Sequence, residues 1–134
     1  MIQAPVSIGE LIDKLGILEI KRAKISDEAK LTNINRELAL LHTLFTDQVF
    51  QRLPLHQQPQ LVGLAVKLRQ VNEVIWGIED DIRACERRQD FGPDFVTLAR
   101  GVYHNNDERA RLKRAINDLV GSSIVEEKSY TDYQ

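Results

Sequence analysis

The sequence predicts an all-α protein that folds as an elongated antiparallel bundle of four long helices. Apolar residues recur at intervals of three and four along most of the chain, which is the pattern of helices with one buried face. The composition is 43% hydrophobic but only 6% aromatic, which favours an aliphatic helical core. The breaks in the pattern are short, so successive helices should run antiparallel.

The length of 134 residues suits one helical-bundle domain over residues 1–134, with residues 124–134 as a partly irregular tail. The first helix should cover about residues 8–25, because Ser7 and Glu10 have the spacing of a capping box. The apolar pattern changes phase at Ser26 and Asp27, either of which is a good N-cap. A second helix should therefore begin there and continue to about Phe50, before a proline-containing loop at residues 53–59.

The third helix, expected over about residues 60–88, is the longest and organises the bundle. At ~1.5 Å per residue it would be roughly 45 Å long. Its apolar seam consists of Leu61, Leu64, Leu68, Val71, Ile75, Ile78, Ile82 and Cys85. A second stripe of residues lies beside this seam at helical spacing: Asn72, Trp76, Glu79, Arg83 and Glu86. Cys85 is the only cysteine, and its seam position predicts a buried packing residue in a reducing compartment.

The fourth segment admits two interpretations. Helical spacing is unbroken from Phe95 to Leu119, which predicts one continuous or kinked helix, but the polar residues Asn105 and Arg109 occupy seam positions. Alternatively, residues 103–107 form a turn whose last residues cap a fifth helix. Gly121 is the expected end of this segment.

Several pieces of the chain together resemble a family of short bacterial helical proteins, a domain of unknown function. The pieces are Pro5–Glu10 with Asp13–Leu15, Val71–Glu73 with Trp76 and Ile78–Arg83, Tyr103 with Asn106–Asp107 and Leu112–Arg114, and Glu126–Tyr130. They span nearly the whole chain. The resemblance implies a compact helical domain and implies no particular activity.

Metal chemistry has little support in the sequence. The all-helical nucleotide pyrophosphohydrolases bind magnesium through Glu-x-x-Glu and Glu-x-x-Asp on facing helices. Glu10 and Asp13 match half of that pattern, but neither Glu73 nor Glu79 has an acid three residues later. The three histidines lie on three different segments without ligand spacing. We therefore expect no metal, no cofactor and no catalytic residues.

Asn105 and Arg109 are the least ordinary residues of the fourth seam. A buried guanidinium without a partner is too costly to keep, so we expect Arg109 to pair with Glu79 first and Glu86 second, with Asn72 facing Asn105. Three interpretations stay open: a structural polar layer that sets helix register, a pocket for a small anionic ligand, or a kink that exposes both residues. The candidate polar layer comprises Asn72, Glu79, Arg83, Asn105, Arg109 and Lys113.

The remaining surface features concern partners and location. Trp76 suits either the edge of the core or a dimer interface. The net charge is −2, and the basic residues 109–114 have no interleaved aromatics, so no nucleic-acid partner is expected. The chain has no apolar run of ~18 residues and no signal-peptide pattern, which predicts a cytoplasmic protein without a membrane partner. The tail should dock on the fourth helix through Ile124, Val125 and Tyr130, with its acids near Arg111 or Arg114.

These observations favour a non-catalytic helical interaction or scaffold module that acts as a homodimer, because its apolar surface exceeds what one thin bundle can cover. The alternative is a small anionic-ligand binding protein, or an enzyme, with a polar site between the third and fourth helices. The sequence specifies no reaction, ligand or protein partner.

Overall fold

Four helices make up the fold in a computed structural model that describes residues 1–134. They are α1 (Ile8–Lys24), α2 (Glu28–Phe45), α3 (Gln58–Arg87) and α4 (Pro93–Val120). A π-helical turn, Thr46–Phe50, prolongs α2, and a 3-10 turn, Leu55–Gln57, precedes α3. The structure confirms the predicted all-α bundle of four helices. None of these helices is both long enough and apolar enough to cross a membrane.

The first two helices begin at the capping residues that the sequence indicates. The Ser7 hydroxyl accepts the backbone N–H of Glu10 at 3.0 Å, and the Asp27 carboxylate accepts that of Lys30 at 2.9 Å. Each cap satisfies one of the free N–H groups of a first helical turn. At the other end of the chain, α4 stops where Gly121 adopts a left-handed conformation (φ 69°), which glycine tolerates without strain.

The fourth segment is one continuous helix, so the alternative with a turn at residues 103–107 and a fifth helix is wrong. Asn105 is accommodated within α4 because its side-chain amide donates to the Gly101 carbonyl at 2.8 Å, one turn earlier. An asparagine that is satisfied on its own helix neither breaks that helix nor needs a partner across the bundle.

The first helix is the centre of the bundle, because α1 packs against α2, α3 and α4. Its approach to α4 is close: a Cβ added to Gly9 would lie 2.6 Å from the Lys113 carbonyl oxygen. Farther along, Gly16 faces the Arg69 side chain of α3. The core that α1 organises contains Leu11, Ile12, Leu15, Leu18, Ile34, Leu38, Val49, Leu61, Leu68, Leu112 and Ile116. The two glycines let neighbouring helices approach α1, so its polar side chains can meet those of α3 and α4.

The α3–α4 hairpin continues beyond α1. Ile20, near the end of α1, lines a cleft together with Trp76. After Ile20, α1 continues for four residues, whereas α3 continues for eleven after Trp76. At ~1.5 Å per residue, α3 therefore extends about 10 Å farther than α1. We call residues 77–101 the distal hairpin. Its only buried residue is Cys85, which is 2% exposed, as expected for a packing residue.

The tail after Gly121 has no regular secondary structure and runs back along α4. Glu127 pairs with Arg114 at 3.2 Å, which confirms that the tail acids lie near the basic face of α4. The predicted apolar docking is wrong for two of its three residues, because Ile124 and Tyr130 are exposed and only Val125 is partly buried. Charge pairs therefore hold this part of the tail, since little apolar surface is buried beneath it.

Candidate functional site: a buried polar cluster

A buried aspartate joins three of the four helices. Asp13 of α1 is 1% exposed, and one of its oxygens accepts hydrogen bonds from the Asn72 amide of α3 at 2.8 Å and from Nε of Arg109 on α4 at 2.9 Å. The other oxygen accepts a second hydrogen bond from the Arg109 guanidinium. Such a bidentate contact is the strong form of an arginine–carboxylate interaction.

The surroundings of Asp13 keep its carboxylate ionised. Burial alone would raise the pKa of Asp13, but the hydrogen bonds from Arg109 and Asn72, together with the charges of Arg109 and Lys113, outweigh it and hold that pKa below its ordinary value. The same hydrogen bond from Arg109 to Asp13 raises the pKa of the guanidinium. Both members of the pair are therefore charged near neutral pH.

A second charged group lies one turn away on α4. Lys113 is 9% exposed, and its ammonium group contacts the carboxylates of Glu10 on α1 and Glu126 in the tail, the latter at 3.0 Å. Burial lowers the pKa of Lys113, but the hydrogen bonds to both glutamates overcome this and raise it. The Ser7 hydroxyl also donates to Glu126 at 3.3 Å, so the tail is connected to the start of α1.

Backbone groups at the start of α1 complete the cluster. The Asn117 side-chain oxygen accepts the N–H of Gly9 at 2.7 Å, and the Ser122 hydroxyl accepts the N–H of Ile8 at 3.3 Å. These are N–H groups that a first helical turn leaves free. We call the whole set the buried polar cluster: Ser7, Glu10, Asp13, Asn72, Arg109, Lys113, Asn117 and Glu126.

The buried polar cluster is satisfied internally. No buried side-chain nitrogen or oxygen lacks a hydrogen-bond partner, and each charge meets an opposite charge. A general base or nucleophile needs a free lone pair beside a substrate, and the Asp13 carboxylate already accepts three hydrogen bonds. The arrangement can fix the register of α1 against α3 and α4.

The structure brings together only part of the predicted polar layer. Asn72, Arg109 and Lys113 belong to the buried polar cluster, whereas Glu79 and Arg83 form an exposed pair along α3. Asn105 bonds within α4.

The partners expected for the polar layer are wrong. Arg109 pairs with Asp13 rather than with Glu79 or Glu86. Asn72 likewise donates to Asp13 instead of facing Asn105. The reason is that α1 lies against both α3 and α4 at this level and places a carboxylate between Asn72 and Arg109.

Sequence reasoning missed five members of the cluster as a group: Ser7, Glu10, Asp13, Asn117 and Glu126. The sequence feature that indicates this cluster is the pair of glycines in α1. Gly9 and Gly16 are seven residues apart and lie on the side of the helix that carries Asp13. Glycine inside a helix is costly, so two of them at helical spacing indicate a face that neighbouring helices approach closely.

A cleft borders the cluster beside α3. Its volume is about 510 Å³, and Asn72 and Arg109 lie in its wall. The rest of the wall is formed by Ile17, Ile20, Ile75, Trp76, Glu79, Asp80 and Arg83. Trp76, the candidate interface residue, is partly buried here. The cleft carries two acids and two arginines, so its formal charges cancel.

No group of three or more histidine, cysteine, aspartate or glutamate side chains is arranged to hold a metal ion. No protein-family model matches the chain, and neither a curated protein nor a solved structure is significantly similar to it.

Proposed function

We propose that this protein is a non-catalytic helical interaction module that acts as a homodimer through the distal hairpin. The observation that carries the proposal is that residues 77–101 bury a single side chain, Cys85. Helices in proteins gain most of their stability by packing an apolar face against other elements, and the distal hairpin buries little of its own. The apolar side chains of the distal hairpin remain partly or largely exposed: Ile78, Ile82, Phe91, Phe95, Val96 and Leu98.

The charges of α3 favour a second copy of the same chain as the partner. Asp80 and Asp81 lie about two turns before Arg87 and Arg88, and all four side chains are exposed. None of these four side chains forms a salt bridge within the chain. If two α3 helices lie antiparallel about a twofold axis, the acids of each face the arginines of the other. Two hairpins related in this way would form a four-helix arrangement.

The buried polar cluster supports a structural role for the rest of the bundle. Each of its charged side chains pairs with one of opposite sign, and its hydrogen bonds join α1, α3, α4 and the tail. The anionic-ligand alternative has less support, because the Asp13 carboxylate already binds two nitrogens of the Arg109 guanidinium and offsets its charge, and the adjoining cleft has no net positive charge.

Sedimentation across the micromolar range tests the proposal. We expect a mass twice that of the 15.4 kDa chain. Val96→Glu should yield monomers, because it places a charge on the distal hairpin. Leu40→Glu on α2 is the matched control, since Leu40 and Val96 are both 51% exposed, and it should leave the dimer intact. A mass of one chain at every concentration would contradict the proposal.

Charge reversal gives a second, independent test of the twofold pairing. The double variant D80R/D81R should weaken the dimer, because like charges would then face each other across the axis. Adding R87D/R88D should restore it, since the acids and bases have simply exchanged places. Failure of the quadruple variant to recover would rule out this arrangement even if the protein is dimeric.

A further inference from the structure

All three tyrosines of the chain line one cleft of about 680 Å³ between α4 and the tail. Tyr103 comes from α4, and Tyr130 and Tyr133 come from the tail. Their exposed fractions are 43%, 79% and 47%, so the rings face solvent rather than the core. Aromatic side chains gathered on a concave, solvent-exposed surface are typical of binding sites. We call this surface the tyrosine cleft.

Two rings of the tyrosine cleft form a corner. The centroids of Tyr103 and Tyr133 are 5.2 Å apart, with their planes at 69°. The His104 ring packs against both. The Tyr133 hydroxyl donates to the Asp107 carboxylate, and this hydrogen bond raises the pKa of Tyr133 to about 12. The hydroxyl therefore stays protonated, and the Tyr133 ring is held in place without a ligand.

Hydrogen-bonding groups of both kinds surround the corner. Asn106 offers an amide that donates and accepts, Asp107 accepts, and Lys128 donates. The charges of Asp107 and Lys128 cancel, so neither an anion nor a cation gains net attraction from the lining. A neutral ligand with an apolar face and several hydroxyl groups fits these properties.

We propose that the tyrosine cleft binds a neutral pyranose sugar, with its C–H faces against the tyrosine rings and its hydroxyls bonded to Asn106, Asp107 and Lys128. A planar base stacks flat on a single aromatic face, whereas the rings of Tyr103 and Tyr133 meet at an angle and present two differently oriented faces. A chair-shaped sugar presents C–H groups in more than one direction and suits that corner. This site is separate from the distal hairpin and does not depend on dimerisation.

Saturation-transfer NMR on the full chain tests the proposal. The probes are the methyl glycosides of glucose, galactose, mannose and N-acetylglucosamine at millimolar concentration. We expect transfer to the ring protons of at least one probe. Tyr130→Ala should weaken that binding by roughly tenfold, since one stacked ring contributes about that factor. Because Tyr130 is 79% exposed, its removal should leave the melting temperature unchanged.

Asp132→Ala is the control, because Asp132 lies in the same tail segment but not in the wall of the cleft. It should keep the affinity of the unmodified chain. The absence of transfer to all four probes would overturn the proposal, as would equal affinity in Tyr130→Ala. Adenosine and choline serve as competing probes, and Tyr130-dependent binding of either one without any sugar would also overturn it.

Discussion

Replacing Arg109 with methionine should destabilise the fold by roughly 2–3 kcal/mol. Removing one member of a fully buried ion pair costs about 3–5 kcal/mol, because it leaves an uncompensated charge. Asp13 fits that description with 2% of its side chain exposed, whereas Arg109 retains 28%, so we take a smaller value. For a chain of this length, with an unfolding entropy of ~2.1 cal/mol/K per residue, the melting temperature should fall by about 7–11 °C.

The same substitution should reverse the pH dependence that Asp13 contributes. In the unmodified chain the pKa of Asp13 is depressed, so its contribution to stability is present above the ordinary pKa of 3.8 and is lost as the pH falls through the folded value. Without Arg109, burial dominates and the pKa of Asp13 should rise above its ordinary value. The variant should then gain stability as the pH falls from neutrality through that raised pKa.

Urea unfolding of four proteins at several pH values measures both effects. The proteins are the unmodified chain, Arg109→Met, Asp13→Asn and the double variant. The double variant should be more stable than the sum of the single losses predicts, by about 1 kcal/mol or more, because neither charge is then left alone. Additive losses, or the same pH slope in the unmodified chain and in Arg109→Met, would refute this account of the pair.

Two further comparisons use matched positions. Glu126→Gln should lower the free energy of unfolding by about 0.5–1 kcal/mol, because Glu126 contacts the buried Lys113. Glu127→Gln removes an exposed pair and should lower it by less than ~0.5 kcal/mol. Equal losses of stability in chemical denaturation would show that the tail is not anchored at Glu126. Gly9→Ala should destabilise by about 1–3 kcal/mol, because its Cβ would meet a backbone oxygen at 2.6 Å. A Cβ at Gly77 would have no neighbouring atom within 4 Å, so Gly77→Ala should stabilise the fold by about 0.5–1 kcal/mol. A loss of stability in Gly77→Ala would contradict this reasoning.

The helix boundaries were predictable because their causes are local. Ser7 and Asp27 cap helices through hydrogen bonds to residues three positions later, and such spacing is visible in the sequence. The continuity of α4 was ambiguous for the same reason. The Asn105 side chain can form its hydrogen bond either as the cap of a new helix or with a backbone carbonyl one turn earlier. Only the packing of α4 against α1 and α3 decides between these two arrangements.

The partner of Arg109 could not be read from the sequence in the same way. Asp13 is 96 residues away and does not belong to an apolar stripe, so periodicity gives it no weight. The carboxylates of α3 are the partners that the sequence favours, because α3 and α4 are consecutive helices. The helix α1 contacts both α3 and α4, and its close approach to α4 at Gly9 is a tertiary property that periodicity does not describe.

The anchoring of the tail explains why a cleft exists at all. Glu127 contacts Arg114 and Tyr133 contacts Asp107, so six residue steps of tail cover seven steps of α4. Those seven helical steps span about 10.5 Å, while six steps of extended chain could span about 20 Å. This part of the tail is therefore long enough to leave space between its backbone and α4. The tyrosine cleft occupies such a space, with Lys128 and Tyr130 of the tail and Tyr103 of α4 in its wall.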